Sequence, residues 1–142
     1  MSLCPVLRIV IPCYNEEDVL PVTAPMFLAE LEQLIVAGKV SEQSKICFVD
    51  DGSKDATWSI IKNLASSDSR LEGLSLSRNR GHQNALLAGL MEVRGRCDAA
   101  ISMDCDGQDD ISVCGKMVDS YLRGNDVVYG VRSSRDTDTA FK

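Results

Sequence analysis

The chain has 142 residues, 44% of them hydrophobic and 25% charged, a balance that suits one domain with a buried core and excludes disordered or fibrous protein. Its formal net charge of −6 excludes a general nucleic-acid binder, which would carry a basic stripe. No apolar run approaches the roughly 18 to 20 residues of a membrane span, and Met1 to Pro5 lacks the basic and apolar regions of a signal peptide, so the expectation is a soluble chain.

Apolar runs and helical patterns then alternate. Leu7 to Pro12 reads as a first strand. Phe27, Leu28, Leu31, Leu34 and Ile35 recur at helical spacing up to Gly38, with Pro25 fitting a first turn and kinking any helix begun earlier. Ile46 to Asp50 is the second strand, followed by a helix for which Ser53 or Asp55 can be the N-cap and whose inner face carries Trp58, Ile61, Leu64 and Ala65. Leu71 to Ser77 is the third strand. The helix from about Gln83 to Arg94 is apolar nearly all round through Ala85-Leu-Leu-Ala-Gly-Leu90, which predicts burial on two sides. Ala99 to Asp104 is the fourth strand. The next helix carries Ile111, Val113, Cys114, Met117, Val118, Tyr121 and Leu122, with Asp109 and Asp110 placed to cap it, and Asp126 to Gly130 reads as a fifth strand. This alternation predicts an α/β domain over residues 1–142, with a parallel sheet and helices on both faces.

Six cysteines, Cys4, Cys13, Cys47, Cys97, Cys105 and Cys114, show no zinc-ligand spacing and fall mostly in apolar runs, which predicts small reduced core residues and a cytosolic setting.

The polar clusters all follow strands: Cys13-Tyr-Asn-Glu-Glu17, Asp50-Asp-Gly-Ser-Lys-Asp55, Arg78-Asn-Arg-Gly-His82, Asp104-Cys-Asp-Gly-Gln108 and Arg132-Ser-Ser-Arg135. In a parallel sheet those ends share one edge, and open α/β sheets bind ligands in the crevice outside it. Asp104 and Asp106, set where a buried strand stops, favour a hard cation such as Mg²⁺ or Mn²⁺ over zinc. The competing reading is an acidic turn capping the next helix. Asp50 or Asp51 can accept from a base N–H or a ribose hydroxyl, or can cap the second helix. Tyr14 offers a ring face. Arg78 and Arg80, and later Arg132 and Arg135, offer guanidinium groups to phosphates or to solvent. His82 reads as a polar surface or cap residue, and nothing supports a nucleophilic triad. The glycine patterns of dinucleotide and P-loop folds are absent.

Together, Ile11-Pro-Cys-Tyr-Asn-Glu-Glu17, Val49-Asp-Asp-Gly-Ser-Lys-Asp55, Leu76-Ser-Arg-Asn-Arg-Gly-His82 and Met103-Asp-Cys-Asp-Gly-Gln-Asp109 resemble family 2 glycosyltransferases of the GT-A fold. The resemblance spans Leu7 to about Arg135 and is nearest to polyprenyl-phosphate sugar synthases, the dolichyl-phosphate mannosyltransferase and bactoprenol glucosyltransferase group. It implies a Rossmann-like, mostly parallel sheet truncated on its C-terminal side. It implies a nucleotide-sugar donor, linked through UDP or GDP, that contacts Pro12, Tyr14, Asn15, Glu16, Asp50, Asp51, Arg78, Gly81 and Asp104. It also implies Mg²⁺ or Mn²⁺ on Asp106 and Gln108, catalytic roles for Asp106, Arg132 and Arg135, and a polyprenyl-phosphate acceptor at the cytoplasmic face of a membrane, with membrane association through segments beyond this chain. Two departures stand out: Gly107 replaces the family's usual Leu, which is expected to loosen the metal loop, and Asp110-Ile111 replaces a Pro-Pro pair. Two rival readings are a nucleotide-binding fragment without turnover and a phosphoacceptor receiver domain, whose usual lysine after the last strand is here Arg132.

Overall fold

A computed structural model describes residues 4–131. The element order is β1 (Leu7–Cys13), α1 (Leu20–Val36), β2 (Lys45–Asp50), α2 (Thr57–Ser67), β3 (Leu71–Ser75), α3 (His82–Val93), β4 (Ala99–Ser102) and α4 (Val113–Leu122). The four strands are parallel in the order β3-β2-β1-β4.

Strand β1 is central and every residue of Leu-Arg-Ile-Val-Ile-Pro-Cys is buried, Arg8 included, as suits a middle strand in a parallel sheet. Alternate side chains serve two cores. Leu7, Ile9, Ile11 and Cys13, with Ile46 and Phe48 of β2, pack on Phe27, Leu31 and Leu34 of α1, Ile61 of α2, and Cys114 and Val118 of α4. Val10, Cys47 and Val49 face the other way, onto Ala85 and Val93 of α3. Helix α3 lies close because Gly89 has no side chain: a Cβ there would stand 2.5 Å from Val10 Cγ1 and 2.7 Å from Val49 Cγ2.

Three helices thus cover one face and one covers the other. The expectation that α3 is buried on two sides fails, since Leu87 and Met91 are more than half exposed. The apolar ring of that helix exceeds what a single sheet face can cover. Helix α1 begins at Leu20 with Pro21 in its first turn, so Pro25 lies inside it rather than at its start. The third and fourth strands end earlier than the apolar runs do, although Leu76 N–H still donates to Asp50 O (2.9 Å) and Met103 N–H to Val10 O (3.1 Å).

The segment Asp126 to Gly130 forms no strand. Val127, Tyr129 and Val131 are left largely exposed beside the open edge of β4, which among the described residues pairs only with β1. Among the described residues no helix is long and apolar enough to cross a membrane. Cys13, Cys47, Cys105 and Cys114 are buried as core residues, and burial pushes the Cys47 and Cys114 thiols up to about 12.

Candidate functional site

The strand order changes direction at β1. From there the chain steps outward to β2 and β3, then crosses to pair β4 with the other side of β1. A ligand crevice belongs at such a switch point, outside the C-terminal strand ends. A pocket of about 450 Å³ opens there, lined by Pro12 and Cys13 at the end of β1, Tyr14 and Glu16 after it, Asp51 after β2, Asn79, Gly81 and His82 after β3, and Asp104, Cys105 and Asp106 after β4. Four of the five polar clusters therefore meet. The fifth, with Arg132 and Arg135, lies outside the described residues.

Each loop is held by the next. Asp51 is 3% exposed, and its carboxylate accepts from Arg80 N–H (2.7 Å) and Gly81 N–H (3.1 Å), which binds the tip of β2 to the loop after β3. Gly52, at φ +68°, lets that loop approach; a Cβ would lie 2.3 Å from the backbone of Arg78 and Asn79. Among the described residues, the Asp50 carboxylate accepts only from Ser53 N–H, at 3.3 Å.

The loop after β1 is clamped to the start of α2. Asn15 N–H donates to Ser53 Oγ (2.9 Å), Lys54 N–H to Asn15 Oδ1 (2.9 Å), Glu16 N–H to Thr57 Oγ1 (2.8 Å) and Ala56 N–H to Glu17 Oε2 (3.0 Å). Asn15 takes a φ of +51° to make this turn. Ser53 is thus spent on Asn15, while Asp55 accepts from Thr57 N–H (2.9 Å) and satisfies the helix start from one position before the Ala56 cap.

Of the residues expected to contact a donor, Pro12, Tyr14, Glu16, Asp51, Gly81 and Asp104 line the pocket, and Asp106 joins them. Asn15 and Asp50 serve as braces behind it. Arg78 stands outside it with its backbone against Gly52. Gln108 is also outside. Its N–H donates to Asp106 Oδ1 (3.0 Å), and it lines a separate groove of about 1440 Å³ along the open edge of β4. The structure therefore does not bring the Gln108 and Asp106 side chains to one cavity. The turn that parts them has Gly107 at φ +74°, a conformation that favours glycine, with a would-be Cβ 3.2 Å from Thr23 Cγ2. Asp110 accepts from Ser112 N–H at 3.0 Å, in the turn before α4, and the N-cap of that helix is Ser112.

Asn79, His82, Cys13 and Cys105 also line the pocket, although the motif arginines had drawn the attention in sequence. The signal for Asn79 and His82 was their place in the loop after β3.

The pocket is acidic. Burial, then the charges of Asp106 and Asp55, raises the Glu16 carboxyl above the ordinary Glu value. A hydrogen-bond contact with the Cys105 thiol, then burial, pushes the Cys13 thiol well up, so this sulfur is neutral lining. His82 Nε2 stands 3.6 Å from Asp104 Oδ1.

The sequence matches the family described as Glycosyl transferase family 2 over residues 8–142. The chain belongs to that family. It is 49% identical over 138 residues to the uncharacterized glycosyltransferase YkoT of Bacillus subtilis (strain 168), covering 97% of this chain and 41% of the relative. It is 40% identical over 136 residues to the prophage bactoprenol glucosyl transferase homolog of Escherichia coli (strain K12), covering 96% and 42% respectively. These relatives place it near the bactoprenol glucosyltransferase group, and the chain spans about two fifths of their length. Among solved structures, the mannosyltransferase PcManGT of Pyrobaculum calidifontis, in complex with GDP-Man and Mn²⁺, superposes with a TM-score of 0.50 at 21% identity over 74% of this chain and 28% of that one. That likeness supports the GT-A arrangement of a parallel sheet between helices.

Proposed function

We propose that this chain is the donor-binding part of a glycosyltransferase that moves a sugar from a UDP- or GDP-linked donor to a polyprenyl phosphate, with Mg²⁺ or Mn²⁺ as cofactor. The observation that carries the reading is the convergence of Glu16, Asp51, Asp104 and Asp106 on one pocket at the β1/β4 crevice. Its support from relatives is the bactoprenol transferase naming of one homologue and the GDP-Man and Mn²⁺ in the structural neighbour.

A divalent cation fits the residues present. Burial and then the charge of Asp106 raise the cost of ionising Glu16, and among the described residues no lysine or arginine lines the pocket to offset these carboxylates. Among the described residues, no three His, Cys, Asp or Glu side chains make a cage of their own. Asp106, with Asp104 and Glu16 at hand, would hold the ion in a shell completed by diphosphate oxygens and water, as suits Mg²⁺ or Mn²⁺. When bound, the ion supplies neutralisation of the charge that grows on the departing nucleoside diphosphate.

The chain's own residues do the rest. Tyr14, 40% exposed at the rim, offers a ring face to the base, and Asp104 offers carboxylate oxygens to the ribose. Asp51 fixes the loop that forms the far wall. Arg132 and Arg135 stay assigned to the phosphates and the acceptor by family resemblance. A phosphate acceptor is already anionic and needs no strong base, which agrees with a pocket lined by carboxylates, one imidazole, one phenol and two thiols. Membrane contact would come from outside this chain, with the pocket on the cytoplasmic side.

Calorimetry of GDP and UDP with Mn²⁺ tests this. Binding is expected to vanish with excess chelator and to weaken about a hundredfold in Asp106→Asn, on the order of 3 kcal/mol. Equal affinity with chelator would refute the metal-dependent reading. A second reading, a nucleotide-binding fragment without turnover, is favoured by the two-fifths coverage of the relatives. Transfer of radiolabelled sugar to polyprenyl phosphate by this chain would exclude it.

A further inference from the structure

We infer that His82 is a positioning residue for Asp104, holding one carboxylate oxygen so that the other faces the donor; the inference rests on the donor-pocket reading above.

The three aspartates of the pocket are held differently. Asp51 receives two main-chain N–H groups, and Asp106 receives one from Gln108. No main-chain or side-chain donor within hydrogen-bond distance reaches Asp104 among the described residues; its partner is His82, with Nε2 3.6 Å from Oδ1. At that separation the two groups face each other across a gap just longer than a hydrogen bond. Such contacts commonly tighten when a ligand fills the site.

The imidazole is not on a free loop. His82 is the first residue of α3, and the chain before it is tied at Arg80 and Gly81 to buried Asp51. Asn79 Oδ1 also accepts from Gly81 N–H (3.2 Å), and Asn84 Nδ2 donates to Arg80 O (2.8 Å). A buried carboxylate after β2 thus sets the position of the residue that faces the β4 carboxylate. An Nε2–H can donate to Oδ1 and leave Oδ2 with its acceptor sites open. The His82 side chain is 59% exposed and contributes no core packing, so its removal acts on the site and spares the fold.

The test uses calorimetry of GDP and UDP with MnCl₂ on the unmodified chain, His82→Ala, His82→Gln, Asp104→Asn and the double variant His82→Ala/Asp104→Asn. His82→Ala is expected to weaken binding about tenfold, the scale of one hydrogen bond to a charged group. His82→Gln, whose amide N–H reaches the same side, is expected to stay within about threefold of the unmodified chain. The double variant is expected to bind no more weakly than Asp104→Asn alone, because the two changes remove one interaction. Thermal midpoints of the His82 variants are expected to match the unmodified chain. Unchanged affinity in His82→Ala, full additivity with Asp104→Asn, or loss in His82→Gln equal to that in His82→Ala would each overturn the His82 role and leave the donor pocket standing. Absence of nucleotide binding by the unmodified chain would overturn the donor pocket itself, and this role with it.

Discussion

Asp51→Asn isolates the join between the second and third strand loops. The carboxylate accepts from Arg80 N–H at 2.7 Å and Gly81 N–H at 3.1 Å. The amide keeps the shape but has one acceptor oxygen, so it turns an NH₂ group onto one of those two donors. A hydrogen bond to a charged group contributes about 1.5–3 kcal/mol, and both are affected. Arg80 and Gly81 are themselves exposed, so water recovers part of the loss, and the net destabilisation is about 2–3 kcal/mol. For a domain of this size that lowers the thermal midpoint by about 5–10 °C. Asp50→Asn is the internal control: Asp50 is just as buried, but its carboxylate accepts a single bond of 3.3 Å among the described residues, and it should lose about 1 kcal/mol or less. Urea and thermal melts followed by tryptophan fluorescence would measure both, since Trp58 of α2 packs against the core and the sheet. Equal losses in the two variants, or a midpoint for Asp51→Asn within about 2 °C of the unmodified chain, would refute the claim that this carboxylate ties the loops.

Gly52→Ala forces a Cβ to 2.3 Å from the backbone of Arg78 and Asn79 at a φ of +68°, so a loss of about 3 kcal/mol is expected in the same melts, together with weaker nucleotide binding as the 78–82 loop is pushed off. Glu16→Gln removes a carboxyl whose folded value is raised by burial and by Asp106. A raised acid favours the folded state fully only below its unfolded value and loses that advantage as pH rises through the folded one. Glu16→Gln should therefore gain stability relative to the unmodified chain above that window and match it below, as read from thermal midpoints between pH 4 and 8.

Much of the fold is legible because the first two strands carry the apolar runs Ile9 to Pro12 and Ile46 to Val49, and such runs leave a central place in a parallel sheet as the natural solution. The fifth run, Asp126 to Gly130, has the same local character and forms no strand. Local pattern states that a segment fits a pleated, half-buried surface, whereas a strand also needs a partner, and that partner is a matter of tertiary structure. The open edge of β4 lies along the same groove as this segment, without a ladder between them. The shape of the loop after β3 was likewise hidden. Charge draws notice to Arg78 and Arg80, yet Asn79, Gly81 and His82 face the pocket. On an irregular loop the direction of each side chain follows from backbone turns, here fixed by a carboxylate 29 and 30 residues earlier in the chain, and no periodicity reports it. The clamp of Asn15 and Glu17 onto 53–56 spans 38 and 39 residues and escapes notice for the same reason.

The pocket carboxylates form a series from tied to free. Asp51 has two main-chain donors, Asp106 has one, Asp104 faces an imidazole across a gap, and Glu16 is pushed towards its neutral form. A carboxylate already satisfied by N–H groups has little left to offer a ligand, so Asp51 belongs to the frame even though it lines the pocket. The less compensated charge sits on Glu16, Asp104 and Asp106, on the β1 and β4 sides of the crevice. An anionic diphosphate brought against that side meets repulsion on its own, and a cation between them turns both sets of oxygens into ligands. The acidity of the pocket is therefore compatible with an anionic substrate only when a cation accompanies it. For that reason metal and nucleotide are expected to bind together, each weakening sharply when the other is withheld.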